Sequence, residues 1–320
     1  MKKDPAPRPD APLATEPEIC FADYEEASII SCGVPIVLSI WKAQKNSPCL
    51  LFYPGTMASP LLYCELLHRL RTRGLTCIGI HHLGHGKSPN IKKVFTFQDL
   101  LQNGLDATNY ALERFATPVV LSGHSQGGIL SLAQAGCDPR IAAVFPYSFL
   151  LPDAPEAIEV TIFAPFAKYR EKLVSGIAKA ARYVPRLPVV IPMYLDLKRV
   201  FKGSRNLSSN YNSTHTRLSY PLAYLASLFS AKLDYLCEEG NLRCPLYALT
   251  AHDDAAFPLH ILQSVFKRIQ APHKELIVLS GGGHLAPLEA IGAEEFANIV
   301  HQRCLAQGLF PDALPEQGKL

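Results

Sequence analysis

The chain has 320 residues, 48% of them hydrophobic and 18% charged, with a formal net charge of +3 at pH 7. So much apolar material buries a large core and excludes a disordered chain, and the near-balanced charge argues against a protein built to wrap nucleic acid. Nine cysteines, odd in number and scattered, several inside predicted strands or helices (Cys49, Cys64, Cys77, Cys137), read as core residues rather than as a disulfide framework or a zinc pattern, and this points to a reducing, cytoplasmic setting.

Residues 1–20 are rich in Pro, Ala and charge without an apolar run, and read as a disordered lead rather than a signal peptide; residues 309–320 read as a similar tail. Between them, hydrophobic periodicity predicts strands at 26–32, 35–42, 48–53, 76–81, 118–123, 141–147, 245–251 and 274–280. Helices are predicted at 59–73, 96–115, 125–136, 258–269 and 288–306. Alternation of strand and helix implies an α/β fold with a mostly parallel eight-stranded sheet, antiparallel where the first strands follow closely. The core is expected to comprise 21–147 and 244–308. The stretch 148–243 is too long for a connection and is expected to form an inserted, mainly helical cap. No stretch has the length and apolarity of a membrane-spanning helix.

The most informative segment is 119–128, VVLSGHSQGG. A β-branched apolar run enters G-H-S-Q-G and a small-residue helical pattern leaves it, so Ser125 stands at the apex of a strand–turn–helix elbow. Gly123 and Gly127 are small where strand and helix must approach, and the turn exposes the hydroxyl while aiming the Gln126 N–H into the same space. A serine needs a positioned base, and the base an orienting acid. In such a fold the expected chain order is Ser, acid, His. A predicted strand at 245–251 is followed by His252, Asp253 and Asp254; one at 274–280 is followed by Gly281, Gly282, Gly283 and His284. His284, after a run of glycines that lets its loop bend over the sheet edge, is the expected base. Of the adjacent aspartates, Asp254 stands four before Pro258, where the loop turns into the next helix. It is the expected acid, with Asp253 a loop or N-cap residue.

With these residues in place, the chain resembles an α/β-hydrolase, within that superfamily the monoacylglycerol lipase, lysophospholipase and serine aminopeptidase-like group. Residues 49–57 (CLLFYPGTM) resemble that group's third strand and oxyanion turn. The resemblance implies that the Thr56 N–H, with that of Gln126, binds the oxyanion. Residues 76–88 (TCIGIHHLGHGKS) resemble the D-x-x-G-H-G-x-S turn after the fourth strand. The chain departs from the group at three places: Pro54 replaces the histidine before the oxyanion glycine, His81 the turn aspartate, and Ala251 the glycine that opens the acid loop. The resemblance implies no metal or organic cofactor. His81 and His82 are adjacent on a strand and face opposite ways, so they do not make a ligand pair; His124 and His252 are expected to be supporting or loop residues.

In the expected cap, Phe166, Tyr169, Leu173, Ile177, Ala180 and Val184 recur at helical steps, and Lys168, Arg170, Lys172, Lys179, Arg182 and Arg186 occupy other positions. This predicts one apolar face on the core and a basic outer face suited to peripheral contact with an anionic membrane. Residues 187–195 (LPVVIPMYL) are expected to line an acyl pocket, and 206–216 to form a polar surface loop. The expected function is hydrolysis of a carboxylic ester of an apolar or lipid-like acyl group through an acyl-enzyme. The alternatives are acyl transfer or thioester hydrolysis with the same groups, amide cleavage, which would want a carboxylate cluster in the cap for an amino terminus, or a binding protein on the same fold. The partner is a small-molecule or lipid-like ester and not nucleic acid. A serine at the elbow excludes the aspartate chemistry of epoxide hydrolases and dehalogenases.

Overall fold

The structure, a computed structural model, describes residues 17–21, 23–204 and 216–310. Eight strands form one sheet in the order β1-β2-β4-β3-β5-β6-β9-β10. These are β1 Tyr24–Ser31, β2 Val34–Trp41, β3 Cys49–Tyr53, β4 Thr76–His81, β5 Val119–His124, β6 Ile141–Tyr147, β9 Leu246–Ala251 and β10 Lys274–Leu279. β1 runs antiparallel to β2 and β2 to β4, and every pair from β4 to β10 is parallel. The predicted strands are all present, each within two residues of its expected ends.

Every residue of β3, β4, β5 and β9 is buried. Strands buried on both faces need helices on both, the usual consequence of parallel crossovers. Helix α2 (Cys64–Thr72) packs with α9 (Ala290–Ala306), and α3 (Phe97–Phe115) packs with α4 (Gln126–Cys137). α3 starts at a capping box: Thr96 Oγ1 accepts from the Asp99 N–H, and Asp99 Oδ2 accepts from the Thr96 N–H at 2.8 Å. α8 (Leu259–Arg268) follows the acid loop.

Several expectations are corrected. The lead expected to be disordered through residue 20 stops short of it: Pro17–Cys20 is a turn of helix, α1, and the Trp41 indole N–H donates to the Cys20 carbonyl at 2.8 Å. The remainder of the lead, the tail from 311 and most of the expected loop 206–216 lie outside the described residues. Cys137 is exposed at the end of α4, unlike Cys49, Cys64 and Cys77.

Between β6 and β9 the described residues form short 3-10 turns, α5 (Arg170–Tyr183), α6 (Leu197–Val200), α7 (Leu222–Phe229) and a two-stranded ribbon of β7 (Pro188–Val190) and β8 (Ser219–Pro221). The single apolar stripe expected here is broken. Residues Ala164–Tyr169 are 3-10 helical, so the phase shifts before α5 begins, and Phe166, Tyr169, Ala180 and Val184 are exposed. Leu173, Val174 and Ile177 turn inward instead and line a cleft, with Ile177 also packed against the core.

Five of the described histidines are buried, His81, His82, His85, His124 and His284. Burial holds the His82 imidazole down at about 4, and burial likewise holds His85 and His124 well below the ordinary value of 6.5. A histidine lowered in the folded state gives stability that is present above its unfolded pKa and is lost as pH falls, because the unfolded chain takes the proton first. Denaturation midpoints should therefore fall as pH drops from about 6.5 toward 4, with His82 alone contributing on the order of 3 kcal/mol. Urea titrations across that range should show a shallower fall for His82→Gln than for the wild type.

Candidate active site

Because β5, β6, β9 and β10 are mutually parallel, their C-terminal ends share one edge of the sheet, and the loops leaving them converge there. Ser125 follows β5, Ser148 follows β6, Asp254 follows β9 and His284 follows β10.

Ser125 sits at φ 55 and ψ −118, outside the regions a side chain prefers. It is held by its own N–H, which donates to the Tyr147 carbonyl at 2.8 Å, and by its carbonyl, which starts α4 by accepting from Ile129 N–H. Backbone proximity explains the glycines on either side. A Cβ on Gly123 would lie 2.1 Å from the Gly127 carbonyl oxygen, and one on Gly127 would lie 2.0 Å from that of Tyr53. Gln126 is the first residue of α4, so its N–H belongs to the unpaired first turn and carries the positive end of the helix dipole.

Asp254 is buried, and both its oxygens are fully engaged. Oδ1 accepts from the N–H groups of Ala256 (2.9 Å) and Phe257 (2.8 Å). Oδ2 accepts from Ser148 Oγ–H (2.6 Å) and from His284 Nδ1–H (2.9 Å). Burial pushes this carboxyl up, but the charge and hydrogen bond of His284, with those of Ser148 and the Phe257 amide, hold it below the ordinary carboxylate range. An ionised Asp254 accepts the hydrogen bond of His284 Nδ1–H, which fixes the tautomer whose Nε2 carries the lone pair, the one a base requires. Asp253 points away: its side chain is 83% exposed and paired with His252.

His284 is fixed as a ring and as backbone. Phe257 stacks on it with centroids 5.1 Å apart at 9°. The Gly283 carbonyl accepts from Tyr147 Oη–H (2.7 Å), and the His284 carbonyl from His124 Nε2–H (2.8 Å). Of the three glycines in the loop, Gly282 has φ +81, whereas Gly281 stands in open space. With Nε2 donating, His124 Nδ1 is the acceptor for Tyr63 Oη–H at 2.6 Å, and Tyr63 in turn accepts the Gly55 N–H at 3.2 Å. A chain of three hydrogen bonds thus ties the oxyanion turn to the His284 loop, and it supports Gly55 where Pro54 replaces a histidine. At the other departure, His81 Nδ1 accepts the Lys87 N–H (3.1 Å) while Nε2–H donates to Ser39 Oγ (2.9 Å), so an imidazole closes this turn in place of a carboxylate.

The structure therefore brings together Ser125, Asp254, His284, Thr56 and Gln126. Ser125, His284, Gly55 and Thr56 face one small cavity, and Thr56 Oγ1–H donates to Gln126 Oε1 at 3.1 Å. Tyr63, Tyr147 and Ser148 were missed by sequence reasoning. Tyr63 lies within an ordinary amphipathic segment, and the other two end an ordinary buried strand, so nothing local marks them. On the other side of Ser125 opens a cleft lined mostly by apolar side chains including Ile129, Leu173, Ile177, Leu195 and Phe229, with Arg170 as its one charged wall residue among the described residues. Tyr194 and Leu195, within the expected pocket-lining stretch, do line it, whereas Leu187, Val190 and Met193 are exposed.

A family profile described as serine aminopeptidase, S33, matches residues 44–290. No curated protein sequence matches the chain. Among solved structures, a monoacylglycerol lipase from Paleococcus ferrophilus superimposes with a TM-score of 0.67 at 17% identity, covering 89% of this chain and 100% of that one. A soluble variant of monoglyceride lipase from Saccharomyces cerevisiae gives 0.67 at 17% identity, with 89% and 96% covered. An esterase from Thermogutta terrifontis gives 0.61 at 21% identity, with 89% and 99% covered.

Substituting either elbow glycine should be costly. Gly123→Ala and Gly127→Ala are each expected to lower stability by about 3 kcal/mol, because the added carbon meets backbone that cannot turn aside. Gly176→Ala, on α5 with nothing within 4 Å, is expected to gain about 1 kcal/mol from helix propensity. Chemical denaturation of the three variants checks both directions.

Proposed function

The chain belongs to the serine aminopeptidase (S33) family of α/β hydrolases, and from that premise and the geometry of the site we propose that it is a serine hydrolase acting on a carboxylic ester with an apolar or lipid-like acyl group. The observation that carries this reading is the saturated Asp254 carboxylate bonded to His284 Nδ1, with Ser125 strained at the mouth of an apolar cleft. His284 Nε2 takes the Ser125 proton as Oγ attacks the ester carbonyl. Thr56 and Gln126 N–H groups bind the oxyanion, and α4 adds the field of its N-terminus. Asp254 keeps the ring in the required tautomer and stabilises the imidazolium, which protonates the departing alcohol. His284 then activates water to release the acid.

An ester fits the cleft better than a peptide amino terminus. A free ammonium wants a carboxylate, and among the described residues lining the cleft there is none. Two acids of the inserted segment are engaged elsewhere: Glu156 binds Ser264 and Arg268, and Asp153 accepts from the amides of Leu233 and Asp234. Residues 148–243 act as a cap over a core of 21–147 and 244–308, supplying the acyl-side wall.

The outer surface of that cap supports a peripheral membrane contact. Lys168, Lys172, Lys179, Arg182 and Arg186 are exposed, as are Phe166, Tyr183, Leu187 and Met193, a pairing of cations with apolar side chains suited to an anionic interface. No helix among the described residues is long and apolar enough to cross a membrane.

A fluorophosphonate probe should label the wild type and not Ser125→Ala, and p-nitrophenyl esters of medium or long chain should be preferred over acetate. Asp254→Asn is expected to lower kcat about 10⁴-fold by reversing the imidazole tautomer. A folded wild type that neither labels nor turns over any ester, with or without detergent, would sink the reading in favour of a binding protein. For the surface, sedimentation with phosphatidylserine vesicles should exceed that with phosphatidylcholine, and should fall when Lys172, Lys179 and Arg182 are changed to Glu; equal sedimentation removes the membrane contact.

A further inference from the structure

The turn that carries Thr56 is built against the preference of its own residues. Ala58 N–H donates to the Gly55 carbonyl at 3.1 Å, closing residues 55–58 into a β-turn, and Met57 at its third position has φ +73. Thr56 is not among the residues of positive φ, so the turn is of the type II class, in which the third position ordinarily falls to glycine or asparagine. A methionine there is disfavoured, and the Thr56–Met57 peptide stays in that orientation only if something outside the turn holds it.

Both backbone polar groups of Met57 are held from the segment inserted between β6 and β9. Its carbonyl accepts from the Arg217 N–H at 2.8 Å, and its N–H donates to the Tyr220 hydroxyl at 3.1 Å. That hydroxyl is free to accept because its own proton has a fixed destination. His85 Nδ1 lies 2.9 Å from the Leu83 carbonyl, which has no proton to give, so Nδ1 is the donor and Nε2, 2.9 Å from Tyr220 Oη, is the acceptor. The neighbourhood leaves the pair little freedom. Tyr220 is 1% exposed and stacks on Tyr224, and the Arg217 guanidinium donates to the Gly84 and Ser219 carbonyls while lying over the Phe95 ring.

We propose that Tyr220, oriented by His85, is a positioning residue for the oxyanion site: its hydroxyl pins the Thr56–Met57 peptide in the type II orientation and so keeps Thr56 aligned with Gln126. The inference rests on the ester-hydrolase reading above, in which Thr56 N–H is an oxyanion donor. Its consequence is that the inserted segment does more than wall the cleft. The donor pair of the core is complete only with residues 217–220 seated on the turn, and the Thr56 Oγ1 bond to Gln126 Oε1 passes that placement to the first residue of α4.

The test is Tyr220→Phe, which keeps the ring packing and removes the hydroxyl. On a p-nitrophenyl ester that the wild type turns over, kcat should fall about 100-fold, the scale of losing one oxyanion donor, with KM changed by less than about twofold. Affinity for an aryl boronic acid, which forms a tetrahedral adduct on the serine, should fall in parallel. Combining Tyr220→Phe with Met57→Gly should restore most of kcat, since glycine holds a positive φ without the clamp; a general packing defect would not be repaired this way. A crystal structure of Tyr220→Phe should show residue 57 returned to negative φ. Wild-type kcat in Tyr220→Phe, a loss that Met57→Gly does not repair, or an unmoved turn in the crystal would each overturn the inference while leaving the hydrolase reading intact. A wild type inert to every ester and to fluorophosphonate would instead overturn the hydrolase reading and this inference with it.

Discussion

The closeness of α4 to the ends of β3 and β5 is the constraint on which the site depends. At Gly123 and Gly127 the backbones approach so nearly that an added Cβ would overlap a carbonyl oxygen. Only that approach lets the chain leave β5 and enter a helix through a single strained residue, Ser125 at φ 55. A looser junction would insert a loop, and the serine would lose its fixed relation to the helix N-terminus. The strain at Ser125 is carried by neighbours that are themselves buried strand: its N–H reaches across to Tyr147 at the end of β6. Elbow, oxyanion turn and acid loop therefore stand or fall as one packed edge of the sheet.

Buried imidazoles connect that edge. His81, His85 and His124 each use both ring nitrogens, one as donor and one as acceptor, with carbonyl, hydroxyl and amide partners that leave no ambiguity of tautomer. A neutral imidazole is well suited to such a place, because it links a donor on one side to an acceptor on the other without burying a charge. Burial holds His85 and His124 neutral, so these links form part of the rigid frame. The substitution of His81 for an aspartate fits the same scheme: the turn amide keeps an acceptor, and the interior is spared a carboxylate.

The inserted segment has two physically distinct relations to the core. Around Arg217 and Tyr220 it is bonded to the turns after β3 and β4 through backbone groups, well buried and aromatic-packed. Around α5 no residue is fully buried: the helix packs on α7, Ile177 and Ala181 reach the core, and Leu173, Val174 and Ile177 wall the cleft. Of the two, α5, with no fully buried residue, is the easier part to displace.

Sequence alone determined the elements and the chemistry that is local in the chain. Alternation and apolar runs placed all eight strands of the main sheet. G-x-S-x-G, the glycine run before His284 and the Asp254–Pro258 spacing picked out residues that the fold then gathered, because strand ends and tight turns demand particular residue types at particular spacings. The α5 stripe failed because a 3-10 turn shifted its phase, which residue identity does not reveal, and because its inward face is shared between core and cleft. Tyr63, Ser148, Tyr147 and Tyr220 were illegible for a different reason. Each acts through one hydroxyl across a distance in sequence: Tyr63 to His124, Ser148 to Asp254, Tyr147 to Gly283 and Tyr220 to Met57. A hydrogen bond between residues far apart in the chain leaves no periodicity and no spacing, so only the tertiary structure, by fixing which strand ends are neighbours, decided those partners.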